Sequence, residues 1–133
     1  MTGPVTIASV MTAHPYFIEI DSHLNSAKVM LAQYNLRHMP VKNDGNDIVG
    51  IISLHDIERA EMHGVDTSIG TDARVREVCQ PATSIFSPDT PLKTVLQNMA
   101  DEHLECVVIA TGNQLEGIFT LTDACKHYAQ SLE

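Results

Sequence analysis

Two short segments of the sequence place a hydroxyl residue three positions before an aspartate, at the end of an apolar run. They read GIISLHD at residues 50–56 and GIFTLTD at residues 117–123. If the apolar run is a strand that leads into a helix, the hydroxyl residue caps the helix and the aspartate lies on its first turn. Helix N–H groups suit a phosphate, and a carboxylate can accept hydrogen bonds from both hydroxyls of a ribose. The hydroxyl residues are Ser53 and Thr120, and the acids are Asp56 and Asp123.

The same spacing also fits a capping box. In that arrangement the hydroxyl accepts from a helix N–H, and the acid accepts from the N–H of the hydroxyl residue. A capping box does not require a glycine three residues before the hydroxyl, yet Gly50 and Gly117 hold that position in both segments. A glycine lets a flat base or a sugar come close to a strand, so we expect a ligand to approach there. The residues alone leave both interpretations open.

The two segments belong to an internal repeat that covers most of the chain. A shift of 68 residues aligns the stretch that begins at Val10 with the one that begins at Val78, and a shift of 67 aligns the two heptapeptides. Each copy predicts the same order of elements, β-α-β-β-α, and hence an α/β (α+β) fold. We expect the first repeat to span residues 1–64 and the second residues 65–133, with a linker over about 64–73.

The first strand and first helix have counterparts in both copies. Strands are predicted at 17–20 and 84–86, followed by helices that have Ser22 and Thr90 as N-cap residues. Apolar residues at helical spacing predict the buried face of each helix. These residues are Leu24, Ala27, Leu31 and Tyr34 in the first copy and Leu92, Val95, Leu96, Met99 and Ala100 in the second.

A hairpin follows the first helix of each copy. Its first strand is predicted at 39–42 or 106–110, and turns at 44–45 or 112–113 lead into the strand that carries the heptapeptide. One copy alone has a three-stranded sheet, which is too small to bury both of its faces. We therefore expect the copies to pair as one pseudo-twofold body with equivalent clefts between them.

The composition restricts the class of protein. The 8 Lys and Arg residues against 17 Asp and Glu residues give a formal charge of −9, which disfavours nucleic acid and anionic membranes as partners. No stretch resembles a secretory signal or a membrane span. Three cysteines without a metal or disulfide spacing favour a reducing cytoplasm, and the histidines form no metal-binding motif. Because phosphate-loop and GxSxG motifs are absent from the sequence, we expect no enzyme.

The repeated segments resemble those of a known family. GIISLHDI and GIFTLTDA at the strand-to-helix junctions, HMPV at 38–41 and PDTPL at 88–92 together resemble a tandem pair of CBS domains, often called a Bateman module. The resemblance extends over residues 6–128. It implies that AMP, ADP, ATP or S-adenosylmethionine binds in the clefts between the repeats, with no required cofactor. It also implies a homodimer that signals to a regulated partner protein by changing shape.

The resemblance assigns roles to individual residues. It makes Asp56 and Asp123 ribose acceptors and makes Ser53 and Thr120 donors on the phosphate side. The other contacts that it implies are the backbone of Met39, Pro40 and Val107 beside the adenine, Ile18 and Ile51 as apolar walls, and Arg37 and His38 facing the phosphates. Arg59 and Lys126 could reach phosphates, although solvated surface charge is the preferred interpretation.

The second copy departs from this pattern at one position. Glu105 stands where the first copy has Arg37, and a carboxylate there repels a phosphate. We therefore favour the Asp56 cleft over the Asp123 cleft for a phosphorylated nucleotide. Three alternatives stay open. The ligand is S-adenosylmethionine, a cation that suits so acidic a chain; or the protein is a ligand-free scaffold that dimerises and docks a partner while both aspartates cap helices; or it is an enzyme subunit detached from its catalytic domain.

Overall fold

The computed structural model describes residues 5–132, which form two compact units. The first unit comprises residues 16–83, and the second comprises residues 84–132 together with residues 5–15. In chain order the strands are β1 (Thr12–Ala13), β2 (Ile18–Glu19), β3 (His38–Lys42), β4 (Ile48–Ser53), β5 (Gln80–Pro81), β6 (Ile85–Phe86), β7 (Cys106–Thr111) and β8 (Gln114–Thr120). The helices are α1 (Leu24–Gln33), α2 (Leu54–Met62), α3 (Leu92–Glu102) and α4 (Leu121–Gln130).

Each unit carries one mixed sheet. The strand order is β2-β3-β4-β5 in the first unit and β6-β7-β8-β1 in the second. In both sheets the first pair is parallel and the other two pairs are antiparallel. The predicted β-α-β-β-α order and the α/β fold class are confirmed. The predicted three-stranded sheet is wrong, because a two-residue strand that the pattern did not predict adds a fourth strand to each sheet: β5 in the first unit and β1 in the second.

Each unit has its own hydrophobic core under its two helices. The core of the first unit contains Ile18, Leu24, Ala27, Leu31, Met39, Val41, Ile52, Ile57 and Val75. The core of the second contains Ile7, Leu92, Val95, Met99, Val107, Ile109 and Phe119. The predicted buried faces are therefore correct at six of their nine positions. Leu96 and Ala100 are exposed, and Tyr34 lies beyond the end of α1 with its ring stacked on Tyr16.

The N-cap residues predicted for α1 and α3 are wrong by one position. The caps are His23 and Pro91, and neither side chain makes a capping hydrogen bond. Backbone carbonyls replace the expected hydroxyls, because the first N–H of α1 donates to Ala73 O at 2.8 Å and that of α3 donates to Val5 O at 2.7 Å. Both carbonyls come from segments far away in the sequence, and these segments stabilise the helix starts.

The segment over residues 64–73 contains no helix or strand and lies on the first unit. Asn25 Nδ2 donates to Thr67 O at 2.8 Å, and Thr67 Oγ1 donates to Glu61 Oε2 at 2.5 Å. Lys28 Nζ lies 2.6 Å from the same Glu61 oxygen. Hydrogen bonds from Lys28 and then Thr67 lower the pKa of Glu61 below its usual value. The predicted linker is thus attached to α1 and α2 by side-chain contacts.

Candidate functional site

The first candidate corner lies where β4 leads into α2. Ser53 is the N-cap residue of α2, and its hydroxyl accepts from the N–H of Asp56 at 3.0 Å. The N–H of Leu54 donates to Arg37 O at 2.9 Å, which links the corner to the residue before β3. The sequence therefore predicts this N-cap correctly.

The carboxylate of Asp56 is not turned back onto the backbone of its own helix. Its side chain is 15% exposed, and its polar contact is Arg59, whose Nη1 lies 4.0 Å from Asp56 Oδ1. Cys79 lies close by: burial, with a smaller contribution from the charge of Asp56, raises the pKa of that thiol. A partly buried carboxylate with one long ion-pair contact keeps most of its acceptor sites for another donor.

The second candidate corner, where β8 leads into α4, forms a complete capping box. Thr120 Oγ1 accepts from the N–H of Asp123 at 3.2 Å. The Asp123 Oδ2 atom in turn accepts from Thr120 N at 3.0 Å and from Thr120 Oγ1 at 3.1 Å. Thr12 Oγ1 adds contacts of 3.5 and 3.4 Å to the two carboxylate oxygens. Asp123 is therefore committed to its own helix start, and the two corners differ in the state of their acids.

The helix starts offer fewer N–H groups than expected. In α2 the first N–H donates to Arg37 O and the third to Ser53 Oγ. Among residues 5–132, the N–H of His55 is the one that keeps no partner in this turn. Glu105 O and Thr120 Oγ1 take the corresponding groups of α4. A phosphate at α2 would thus meet one backbone donor rather than a full set.

Gly50 and Gly117 admit a close neighbour, and that neighbour is the chain itself. A Cβ atom at Gly50 would lie 2.6 Å from Gln80 O, in β5. One at Gly117 would overlap Met11 Sδ and lie 2.9 Å from Thr12 O, in β1. The added fourth strands therefore account for both glycines without a ligand.

The remaining predicted site residues differ in how far their side chains are exposed. The side chains of Ile18, Met39 and Val107 lie in the hydrophobic cores, so only their backbone atoms could border a ligand. Pro40 is also buried, His38 and Ile51 are half-buried, and Arg37, Arg59 and Lys126 are exposed. Arg37 and Arg59 give the first corner two accessible cations, whereas Glu105 stands at the position of Arg37 in the second.

The sequence interpretation missed the residues that the fourth strands bring to the two corners. Thr12 pairs with Ile118 in β8, and Gln80 pairs with Ile51 in β4. Thr12 and Gln80 are 68 residues apart, the same shift that relates the repeats. That shift is the signal that could have identified them as equivalent positions in the two repeats.

Two classes of site have no support among the described residues. Within residues 5–132, no group of three or more His, Cys, Asp or Glu side chains could hold a metal ion. No helix in that part of the chain has the length and apolar character needed to cross a membrane.

Comparison with known proteins identifies the family. A sequence profile described as the CBS domain matches residues 7–63 and again residues 75–130. The chain belongs to the CBS domain family. The two matches coincide with the internal repeat, so the resemblance seen in the sequence is confirmed as a CBS domain pair.

Curated relatives are longer proteins. The A-adding tRNA nucleotidyltransferase of Geobacter sulfurreducens is 28% identical over 128 residues, which are 96% of this chain and 14% of that protein. The CBS domain-containing protein CBSCBSPB3 of Arabidopsis thaliana is 26% identical over an alignment of 156 positions, gaps included, that covers 88% of this chain and 27% of that protein. This CBS pair thus corresponds to a small part of each relative.

Solved CBS pairs have the same fold. The CBS domain pair of protein MJ0100, in complex with 5′-methylthioadenosine and S-adenosyl-L-methionine, has a TM-score of 0.85 at 18% identity and covers 98% of this chain and 100% of that chain. CBSX2 in complex with AMP has a TM-score of 0.78 at 17% identity and covers 95% of this chain and 97% of that chain. At these identities the likeness shows the fold alone.

Proposed function

We propose that this CBS pair is a non-enzymatic regulatory module that binds an adenine nucleotide at the Asp56 corner of the first unit. The observation that carries the proposal is the state of the Asp56 carboxylate, which is 15% exposed and has Arg59, at 4.0 Å, as its polar contact. A ribose diol would supply the hydrogen bonds that such a carboxylate lacks. Binding would then shift the protein between conformations only as far as one of them holds the ligand better.

Charge at the same corner favours a phosphorylated ligand. Arg37 and Arg59 are exposed there, and the N–H of His55 has no partner among the described residues in the first turn of α2. Solved CBS pairs of the same fold have been found with AMP and with S-adenosyl-L-methionine, which supports an adenosine group as the common part. We place AMP, ADP and ATP ahead of S-adenosylmethionine because the two arginines attract phosphates and repel a sulfonium cation.

Calorimetric titration tests the ligand class. AMP, ADP, ATP and S-adenosylmethionine are added separately to the protein. We expect one adenine nucleotide to bind per chain and to bind more tightly than S-adenosylmethionine. Added salt should weaken the binding of a phosphorylated ligand, because salt screens the charges of the exposed arginines. Absence of binding by all four molecules would overturn the proposal.

We also propose that the module is a homodimer. Both units expose apolar side chains on their helices, including Met62 at 86% and Tyr128 at 66%, and the first unit also exposes Ile69, at 88%, on its 64–73 segment. In the second unit Leu96 and Tyr128 line an apolar groove of about 580 Å³ between α3 and α4. Apolar surface of this kind is typical of protein interfaces.

Light scattering tests the dimer. We expect a mass about twice the 14.6 kDa of the chain. Leu96→Glu should weaken self-association at least tenfold, or about 1.4 kcal/mol, because it buries a charge in the interface. Thr94→Glu is the matched control, since it adds the same charge to an exposed position of α3 outside the groove. A monomeric wild type, or equal weakening by both variants, would contradict this assembly.

A ligand-free scaffold is the second candidate, and the capping box of Asp123 favours it for the second unit. Asp123 accepts a hydrogen bond from the N–H of the N-cap residue Thr120, as the acid of a capping box does. If Asp56 serves only as a capping acid too, no adenosine ligand will bind and Asp56→Asn will leave partner docking intact.

A further inference from the structure

The fourth strand of each sheet puts a different side chain at the position from which, in the second unit, Thr12 contacts the corner acid. In the second unit β1 pairs with β8 so that Thr12 lies opposite Ile118. In the first unit β5 pairs with β4 so that Gln80 lies opposite Ile51. The two pairings have the same register relative to the repeats. Thr12 and Gln80 therefore occupy equivalent positions, one with a short hydroxyl side chain and one with a longer amide.

Thr12 and Gln80 differ in whether they contact the corner acid of their unit. Thr12 Oγ1 lies 3.5 Å from Asp123 Oδ1 and 3.4 Å from Oδ2, a weak hydrogen bond shared between both oxygens. Thr120 holds Oδ2 through its N–H at 3.0 Å and its hydroxyl at 3.1 Å. Among the described residues, Gln80 makes no such bond to Asp56. Asp123 is thus held by Thr120 and by Thr12, whereas Asp56 has no equivalent hydrogen bond to Ser53 N or to Gln80 among the described residues.

We propose that Thr12 is a positioning residue that keeps Asp123 in its capping arrangement and so decides which corner accepts a ribose. The inference rests on the proposed function and explains why one corner is used. To accept a diol, Asp123 must turn away from Thr120. The Thr12 hydroxyl, which approaches the carboxylate from another strand, opposes that movement because it bonds both oxygens in the capped position.

Variants of Thr12 test the inference at the second corner. AMP and S-adenosylmethionine are titrated into Asp56→Ala protein and followed by amide NMR shifts of residues 117–123, a readout suited to weak binding. Adding Thr12→Val removes the hydroxyl at nearly constant volume, and we expect binding at these residues to strengthen about threefold to fivefold, the equivalent of one ordinary hydrogen bond. Thr12→Ser keeps the hydroxyl and should behave like Thr12 itself.

The reciprocal change tests the first corner. Gln80→Thr puts a hydroxyl at the position equivalent to Thr12, and we expect it to weaken ligand binding at Asp56 by a similar factor. Gln80→Val is the matched control without a hydroxyl and should bind more tightly than Gln80→Thr. If Thr12→Val bound as tightly as Thr12→Ser, and Gln80→Val as tightly as Gln80→Thr, the role of Thr12 would be overturned while the proposed function stood. A wild type that binds neither AMP nor S-adenosylmethionine would overturn the proposed function, and this inference with it.

Discussion

Replacing Asp56 by alanine is expected to lower nucleotide affinity more than a hundredfold. The complex would lose the two hydrogen bonds that the ribose hydroxyls donate to the carboxylate, and hydrogen bonds to a charged group contribute about 1.5 to 3 kcal/mol each. The side chain is 15% exposed with one ion-pair contact, so folding should change little. Calorimetry measures the affinity, and urea denaturation measures the free energy of unfolding of the same sample.

Asp123→Ala is the matched control, because it removes the same side chain from the equivalent position. Asp123 accepts from Thr120 N at 3.0 Å, so its loss should lower the free energy of unfolding by about 0.5 to 1 kcal/mol and leave nucleotide affinity within about twofold. Asp56→Ala should thus lower nucleotide affinity and leave the free energy of unfolding unchanged, whereas Asp123→Ala should lower the free energy of unfolding and leave the affinity unchanged. Equal losses of affinity would contradict the distinction between the two corners.

Replacing Gly50 by alanine is expected to destabilise the protein by about 2 to 3 kcal/mol. The new Cβ would lie 2.6 Å from Gln80 O, which is backbone and can move only if β5 shifts. Gly117→Ala should also destabilise, since its Cβ would lie 2.9 Å from Thr12 O. Urea denaturation followed by circular dichroism checks both variants.

Gly45→Ala serves as the control, because the nearest atoms would lie 3.4 and 3.6 Å from its Cβ, an ordinary contact distance. Its free energy of unfolding should stay within about 0.5 kcal/mol of the wild type. The experiment also separates two reasons for the glycine at position 50. If Gly50→Ala folded with unchanged stability but lost nucleotide binding, the glycine would serve the ligand rather than the fourth strand.

Local sequence signals predict the strand-to-helix corners well. Ser53 and Thr120 are N-cap residues as expected, because a hydroxyl that caps a helix bonds an N–H only three residues away. Ser22 and Thr90 fail as caps because the first N–H groups of α1 and α3 donate to carbonyls that are distant in the sequence. A tertiary contact thus replaced a local one.

The same limit explains what the sequence could not predict about the site. Strands β1 and β5 have two residues each, which is too short for an alternating pattern to appear. Without them, nothing indicates that Thr12 lies beside an acid 111 residues away. The equal spacing of the two heptapeptides predicted equivalent acids, whereas Asp123 also contacts Thr12 of β1 and closes a capping box with Thr120.

The role of Asp56 as the ribose acceptor is tested most directly by one binding cycle. AMP and 2′,3′-dideoxy-AMP, which lacks both hydroxyls, are each titrated into wild-type protein and Asp56→Ala. The wild type should lose about a hundredfold in affinity when the diol is removed, whereas Asp56→Ala should bind both molecules equally within about threefold. An equal loss of affinity on both proteins would show that the diol and the carboxylate do not interact, which would contradict the proposed site.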